Sequence, residues 1–203
     1  MAEELERRLL HGDGRSAGSR PSPPDDQSRH QIGSRKNQEP LVAAIQLRAM
    51  KVGVVSDTHG LLRPEVIPAL AGVEHILHLG DVGNPAILKS LEKLAPVTAI
   101  RGNVDKSGPC SRLPETEVLL LEDHYIYMLH DVHTLHLDPA AAKFGAVLFG
   151  HSHKPEIRRH KGVLYFNPGS CGPRRFELPV TIGMMTVKKD AEILPEIVHL
   201  SIS

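Results

Sequence analysis

The chain has 203 residues, which is enough for one ordinary domain or for a smaller domain with a tail. Its 24 basic residues balance 24 acidic residues, and neither sign forms a long run, so the composition favours neither nucleic-acid nor membrane binding and a small substrate is the expectation. The two cysteines, Cys110 and Cys171, are too few for a disulfide scaffold and lack zinc-type or redox-type spacing. They indicate two isolated thiols in a reduced, cytoplasmic setting, with Cys171 near enough to a site loop to be sensitive to oxidation.

Residues 1 to 49 are rich in Gly, Pro, Ser, Arg, Gln and Asp and offer little apolar surface. We therefore expect a disordered N-terminal extension at 1–49, followed by one domain at 50–203. The acidic start and the polar tract after it do not match a secretory signal, and no apolar run approaches transmembrane length. Met50 stands directly before the first predicted strand, so a start of translation at Met50 is a hypothesis that native peptides from residues 1 to 40 would contradict.

From residue 51 the sequence predicts alternating strands and helices, with strands over 51–56, 74–79 and 97–100 and helices over 64–71 and from Asn84. The first strand is almost continuously apolar, which is typical of a strand buried on both faces. Asn84 and Pro85 suit the N-cap and first position of the second helix, and apolar residues follow at helical spacing.

The second half predicts mainly strands: a hairpin over 117–122 and 125–129, a strand over 146–149, a hairpin over 157–160 and 163–166, and strands over 180–187 and 192–200. Asp138 and Pro139 predict a short helix through Lys143. Alternating strands and helices followed by paired strands indicate an α/β fold with two sheets and helices on the outside.

Short polar clusters follow five of these strands. In layered α/β folds the loops beyond the carboxyl ends of strands converge on one crevice, so side chains far apart in the chain meet there. The clusters are Asp57-Thr58-His59, Gly80-Asp81, Gly102-Asn103, His130 and Gly150-His151-Ser152-His153.

Each cluster alone has an ordinary structural alternative. Asp57 and His59 point to one side of an extended segment and can grip one ion, or they belong to a capped turn. Asp81 and Asn103 are oxygen ligands, or turn residues. His151 and His153 are the strongest signal, because two imidazoles two residues apart after a buried strand are rarely needed for structure. Six further histidines are interpreted as surface or core residues: His75, His78, His124, His136, His160 and His199.

The order Asp-x-His, Gly-Asp, Gly-Asn, His and Gly-His-x-His resembles the calcineurin-like metallophosphoesterases over roughly residues 51 to 190. The short chain and the segment Asn167-Pro168-Gly169-Ser170 are similar to the small YfcE-type phosphodiesterases of bacteria and archaea. The resemblance implies a two-sheet β-sandwich flanked by helices, the four-layer αββα fold. It implies hydrolysis of a small phosphoester by a hydroxide that bridges two metal ions, and the expected substrate is a phosphodiester. A phosphomonoesterase and a non-catalytic protein-binding scaffold of the same fold are the alternatives, and a homo-oligomer is compatible with either.

The resemblance also implies a ligand set for two divalent ions. Asp57, His59, Asp81 and His153 would hold one ion, and Asp81, Asn103, His130 and His151 would hold the other, with Asp81 bridging. Oxygen and nitrogen ligands suit manganese, iron, zinc or nickel, and manganese is the expected metal. Asp81, Asn103 and Asp105 are the expected catalytic residues.

Two positions depart from the family pattern. Asp105 stands where many relatives carry a histidine as general acid, and it is either that acid or a turn or outer-shell residue. Asp131 follows His130 where relatives have glycine, and His133 is a candidate outer-shell group.

The loop after the terminal hairpin is also open to two interpretations. Asn167 to Ser170 predict a tight loop, whose structural role is favoured over a role in the site. Arg174 and Arg175 come next. Either one of them pairs with a substrate phosphate, or both are solvated, which is the commoner outcome for arginine.

Overall fold

Ten strands form two five-stranded sheets in the computed structural model, which describes residues 48–202. The strands are β1 (Met50–Val55), β2 (His75–His78), β3 (Val97–Ala99), β4 (Thr116–Leu121), β5 (His124–Leu129), β6 (Phe144–Leu148), β7 (Glu156–His160), β8 (Val163–Asn167), β9 (Thr181–Val187) and β10 (Leu194–His199). All the predicted strands are confirmed, with small differences at their ends.

The first sheet has the order β10-β9-β1-β2-β3, and the second has the order β4-β5-β6-β8-β7. Strands β1, β2 and β3 run parallel to one another, and so do β5, β6 and β8. The two predicted hairpins, β4 with β5 and β7 with β8, are antiparallel pairs as expected. Because the carboxyl ends of parallel strands share one edge of a sheet, each sheet presents several loops at a single edge.

The main core lies between the two sheets. Val54 and Leu77 from the first sheet pack in one cluster with Met128, Leu148 and Phe166 from the second, and all five are fully buried. Burying each such side chain contributes roughly 1.5–3 kcal/mol. The two sheets are therefore held together by the apolar side chains on their facing sides, which belong to the apolar runs of the sequence.

Two short α-helices cover the outer face of the first sheet, α1 (Val66–Ala69) and α2 (Pro85–Leu91). The side chain of Asn84 accepts a hydrogen bond from the backbone N–H of Ala86 and caps α2, as predicted. Val66, Leu70 and Leu91 pack in a second cluster with Ile76 and Ile182 of the sheet. Helix α1 is shorter than the predicted span of 64–71.

The predicted helix from Asp138 to Lys143 is wrong. Asp138 does accept hydrogen bonds from the backbone N–H groups of Ala140 and Ala141, so it caps a turn. Lys143 then adopts a φ of 60°, which an α-helix excludes, and β6 begins at the next residue. This segment, with a 3-10 helix at Val132–Thr134, covers the outer face of the second sheet, where no α-helix lies among the described residues.

The predictions for residues 1–47 lie outside the described residues, and the disordered extension stays a prediction. Between residues 48 and 202 no helix is long and apolar enough to span a membrane.

Candidate metal centre

All seven predicted ligands meet at one edge of the sandwich. Each lies just beyond the carboxyl end of a parallel strand: Asp57 and His59 after β1, Asp81 after β2, Asn103 after β3, His130 after β5, and His151 and His153 after β6. Four of the seven therefore come from the first sheet and three from the second.

Asp57, His59 and His153 form the first ligand group. Oδ1 of Asp57 lies 3.2 Å from Nε2 of His153 and 3.7 Å from Nε2 of His59, and the two imidazole nitrogens are 3.1 Å apart. Ligand bonds of about 2.1 Å place the donor atoms of one ion roughly 3–3.5 Å apart, so the separations of 3.1 and 3.2 Å suit a shared cation, and the separation of 3.7 Å is slightly longer. Oδ1 of Asp57 is buried and has no well-aligned hydrogen-bond donor, which an ion would explain.

Asp81, Asn103, His130 and His151 form the second ligand group. Nε2 of His130 lies 3.3 Å from Oδ2 of Asp81 and 3.2 Å from Oδ1 of Asn103. Nδ1 of His151 lies 2.9 Å from the same Asn103 oxygen. Oδ2 of Asp81 is also 3.7 Å from Nε2 of His59 in the first group. One carboxylate oxygen thus stands between the two groups, as a bridging ligand would.

Each of the two aspartates uses one oxygen to fix its position and turns the other to the centre. Oδ2 of Asp57 accepts hydrogen bonds from the Ser56 hydroxyl at 2.6 Å and from the His151 backbone N–H at 3.1 Å. Oδ1 of Asp81 accepts from the Val104 backbone N–H at 2.9 Å. Burial alone would raise both carboxyl pKa values, but the pKa of Asp57 is lowered by His153, His130 and Ser56, and the pKa of Asp81 by His130 and Val104. Both side chains are therefore ionised and able to bind cations.

A backbone contact also orients His130. Nδ1–H of His130 donates to the carbonyl oxygen of Leu79 at 2.7 Å, which leaves Nε2 to face Asp81. Burial lowers the pKa of His130, but the hydrogen bond with Asp81 and the charges of Asp57 and Asp81 more than reverse this and raise it. Burial lowers the pKa of His59 in spite of the same two carboxylates.

Five of the seven predicted ligands have left-handed backbone conformations, which are uncommon for residues other than glycine. Their φ angles are 56° for Asp57, 46° for His59, 53° for Asp81, 68° for His151 and 58° for His153. Such conformations cost free energy and concentrate at functional sites, where the surrounding structure enforces them.

Gly150 permits a close approach of its loop to Ser56 and Asp57. A Cβ atom there would meet the Ser56 hydroxyl and would lie 2.8 Å from Oδ2 of Asp57. The glycine that precedes the two histidines is therefore required by contact with the first sheet.

Asp105, an expected catalytic residue, is buried beneath the crevice surface rather than exposed in it. The residue is 1% exposed, Oδ1 accepts from the Gly83 N–H, and Oδ2 accepts from the N–H groups of Val82 and Gly102. The geometry favours the outer-shell alternative, in which Asp105 holds the loops of Asp81 and Asn103 together.

His78, interpreted from the sequence as a surface or core residue, supports the centre from inside the core. Its Nε2–H donates to the Thr58 hydroxyl at 2.9 Å, the Thr58 hydroxyl donates to the Val82 carbonyl oxygen, and Nδ1 accepts from the Gly80 N–H. Complete burial lowers the pKa of His78 to about 4. The neutral imidazole thus connects the loop of Asp57 to the loop of Asp81, and no spacing in the sequence indicates this role.

The loop after β8 has the structural role that the sequence favoured. The Asn167 side-chain amide donates to the Gly150 carbonyl oxygen at 2.8 Å and to the Ser152 hydroxyl at 3.0 Å. The Ser170 hydroxyl donates to the Asp57 carbonyl oxygen at 3.0 Å. These hydrogen bonds hold the loop of His151 and His153 and the loop of Asp57 in place.

Cys171 lies beside this loop, but the expected sensitivity to oxidation is wrong. The residue is fully buried, and burial raises the pKa of its thiol to about 12. Since the thiolate is the reactive species, Cys171 is inert in the folded protein.

Asp131 and His133, the two residues singled out beside His130, lie at the rim of the centre. Oδ1 of Asp131 accepts from the backbone N–H of His133 and lies 2.9 Å from Nδ1 of that residue, while Oδ2 is 3.9 Å from Nε2 of His151. Asp131 therefore places negative charge beside Nε2 of His151, a predicted ligand. His133 contacts Asp131 and is well exposed.

A cleft of about 650 Å³ opens beside the second ligand group. Asn103, His130 and His151 line its inner end, and Lys106 and Tyr127 are among the residues of its wall.

A family model described as the calcineurin-like phosphoesterase superfamily domain matches residues 50–190. A probable metallophosphoesterase of Methanothermobacter thermautotrophicus is 36% identical over 159 residues, which are 71% of this chain and 92% of that protein. The phosphodiesterase YfcE of Escherichia coli is 29% identical over 161 residues, which are 67% of this chain and 87% of that protein.

Solved structures show the same fold. An archaeal phosphodiesterase has a TM-score of 0.60 and 26% identity, with 73% of this chain and 100% of that chain covered. Vacuolar protein sorting 29 of Cryptosporidium parvum has a TM-score of 0.61, with 76% and 99% covered, and its 17% identity makes it a likeness of fold alone. With its two-sheet sandwich and its strand-end aspartates and histidines, the chain belongs to the calcineurin-like phosphoesterase superfamily and is a hydrolase of phosphoester bonds.

Proposed function

We propose that this protein is a phosphodiesterase that depends on two divalent ions. The observation that carries the proposal is the position of Asp81 Oδ2, 3.3 Å from Nε2 of His130 and 3.7 Å from Nε2 of His59, between two groups of ligand atoms. Carboxylate oxygens, an amide oxygen and imidazole nitrogens fit divalent first-row ions, and the proposed ions are both manganese. The two described cysteines are buried free thiols, which supports a reducing compartment such as the cytoplasm.

The chain would hold one ion with Asp57, His59 and His153 and the other with Asn103, His130 and His151, while Asp81 contacts both. When bound, two such ions neutralise charge on the phosphoryl oxygens and make a water molecule more acidic. Ser56 and the Leu79 carbonyl oxygen orient the ligand atoms, and Asp105 keeps the loops of Asp81 and Asn103 in register.

The cleft beside the second ligand group supports a substrate with an organic ester group. Its volume of about 650 Å³ is within the usual range for small-molecule sites, whereas a phosphate alone needs far less space. Tyr127 offers an aromatic surface there, and Lys106 offers a positive charge. The relatives named phosphodiesterase, YfcE among them, support a diester over a monoester.

The test compares bis-p-nitrophenyl phosphate with p-nitrophenyl phosphate on protein reconstituted with manganese. We expect kcat/KM for the diester to exceed that for the monoester by about tenfold or more, and Asp81→Asn to lower it by at least about a thousandfold. Asp190→Asn, an exposed aspartate outside the centre, is the matched control and should behave as the wild type.

A faster reaction with the monoester would establish the phosphomonoesterase alternative. Binding of two ions without hydrolysis of either ester would establish the scaffold alternative. The presence of a suitable residue at all seven predicted ligand positions argues against that alternative. Parallel reconstitution with zinc, iron and nickel tests the metal: a higher kcat/KM with one of these than with manganese would contradict the proposed ion pair.

A further inference from the structure

Arg175 brings a cation to the open side of the metal centre. Its Nη2 lies 3.4 Å from Nε2 of His59, a member of the first ligand group. Arg174, its neighbour in sequence, is also exposed and has no hydrogen bond or ion pair within residues 48–202. The structure therefore separates two arginines that the sequence leaves equivalent.

The contact between Arg175 and His59 is incompatible with a metal on His59. An imidazole nitrogen that binds an ion has no lone pair left for an N–H donor. A guanidinium is always charged, so Arg175 would then face a cationic centre without an acceptor. Among the described residues no carboxylate lies within ion-pair distance of Arg175, so the protein itself supplies no replacement partner there.

An anion at the centre resolves this conflict. A phosphoester has non-bridging oxygens that accept hydrogen bonds from a guanidinium, and its negative charge favours a position between Arg175 and the two ions. The planar fork of arginine matches two such oxygens better than a lysine ammonium does.

The loop that carries Arg175 is anchored to the same strand end as the first ligand group. The Cys171 N–H donates to the Ser56 carbonyl oxygen at 3.2 Å, and Nε of Arg63 donates to the Gly172 carbonyl oxygen at 2.9 Å. Phe176, directly after Arg175, has a φ of 51°, which is uncommon for an aromatic residue. Anchoring and strain indicate that the chain holds Arg175 at the rim.

We propose that Arg175 is a substrate-binding residue whose guanidinium donates hydrogen bonds to a non-bridging oxygen of the phosphoester at the metal centre. The inference rests on the proposed function, because the phosphoryl group must lie at that centre. It assigns the ligand class as an anion of the phosphate type, and it gives Arg174 no part in binding.

The experiment compares Arg175→Gln and Arg175→Lys with the matched control Arg174→Gln. Metal content is measured by mass spectrometry, and binding of inorganic phosphate to the metal-loaded proteins is measured by calorimetry. We expect Arg175→Gln to retain its ions and to bind phosphate about tenfold more weakly or worse, with a similar rise in KM for the diester. Arg175→Lys should recover part of the affinity, and Arg174→Gln should match the wild type.

Unchanged phosphate affinity in Arg175→Gln would overturn the inference, and so would an equal loss in Arg174→Gln, which would point to surface charge in general. Loss of metal from Arg175→Gln would also overturn it, because Arg175 would then act on His59. Phosphate binding needs no turnover, so a wild-type protein that binds phosphate through Arg175 but hydrolyses no ester would contradict the proposed function and support the anion site.

Discussion

The hydroxyl of Ser56 donates a hydrogen bond of 2.6 Å to Oδ2 of Asp57. Both residues are fully buried, and the bond leaves Oδ1 of Asp57 as the atom that faces His59 and His153. Outer hydrogen bonds of this kind usually decide the orientation of a metal ligand.

Ser56→Ala should therefore weaken metal binding while the ligand set stays complete. Loss of an outer hydrogen bond to a ligand typically costs 10- to 100-fold in affinity, and we expect about tenfold because the His151 N–H still binds Oδ2 of Asp57. Manganese titration of the metal-free protein by calorimetry measures the change. Ser90→Ala, which removes an exposed hydroxyl on α2, is the control. Equal affinities in the two variants would contradict the role of Ser56.

Asp105→Asn should destabilise the protein. The substitution puts an N–H₂ group among three backbone donors that now share a buried carboxylate, so at least one donor loses its partner. We expect the free energy of unfolding of the metal-free protein to fall by about 3 kcal/mol, measured by urea denaturation.

The exposed Asp190→Asn is the matched control for this change and should leave stability within about 0.5 kcal/mol of the wild type. A stable Asp105→Asn protein that has lost most of its kcat would instead indicate that Asp105 is the general acid.

His78 should make stability depend on pH. Its pKa is about 4 in the folded protein because it is buried, against 6.5 for an exposed histidine. Between these values the unfolded chain binds a proton that the folded protein does not, so stability is complete above about pH 6.5 and is lost as the pH falls toward 4. From pH 7 to pH 5 this residue alone should lower the free energy of unfolding by about 2 kcal/mol.

Urea denaturation of His78→Gln at the two pH values measures that contribution. The variant should be less stable than the wild type at pH 7 and should lose less stability at pH 5. His199→Gln, at an exposed position of β10, should keep the wild-type dependence. A slope in His78→Gln as steep as that of the wild type would assign the effect to other groups.

Both cysteines should resist thiol reagents in the folded protein. Cys171 is fully buried with a thiol pKa of about 12, and burial also raises the pKa of Cys110. At pH 8 the thiolate population is therefore very small, and access is closed as well. Titration with a chromogenic disulfide reagent should detect two thiols in denaturant and none within minutes in its absence. Rapid native labelling of Cys171 would contradict the burial of this loop.

The parts of the fold that follow from local pattern were predictable. The strand at β1 was evident from its continuous apolar run, and the cap of α2 was evident from Asn84 and Pro85. The Asp138 segment shows the limit of such patterns: its capping signal is real, but Lys143 turns the chain into β6 before a helix can form.

The candidate centre was predictable as a set of residues, because the carboxyl ends of parallel strands converge. The residues that support it were not. His78 acts through Thr58, 20 positions away, and Asp105 acts through backbone groups of the preceding loop. Arg174 and Arg175 are neighbouring residues of the same type, and only the fold places one of them, Arg175, beside His59. Such roles depend on tertiary contacts that no spacing in the chain encodes.

The ligands come from both sheets, and this has a mechanical consequence. An ion held by Asp57 and His59 of the first sheet and by His153 of the second would be a cross-link at the rim of the sandwich. Because the ion binds only the folded arrangement, its binding free energy adds to the resistance of the sandwich against opening along that rim. Removal of metal would then release the two sheets first at the edge that carries the candidate metal centre.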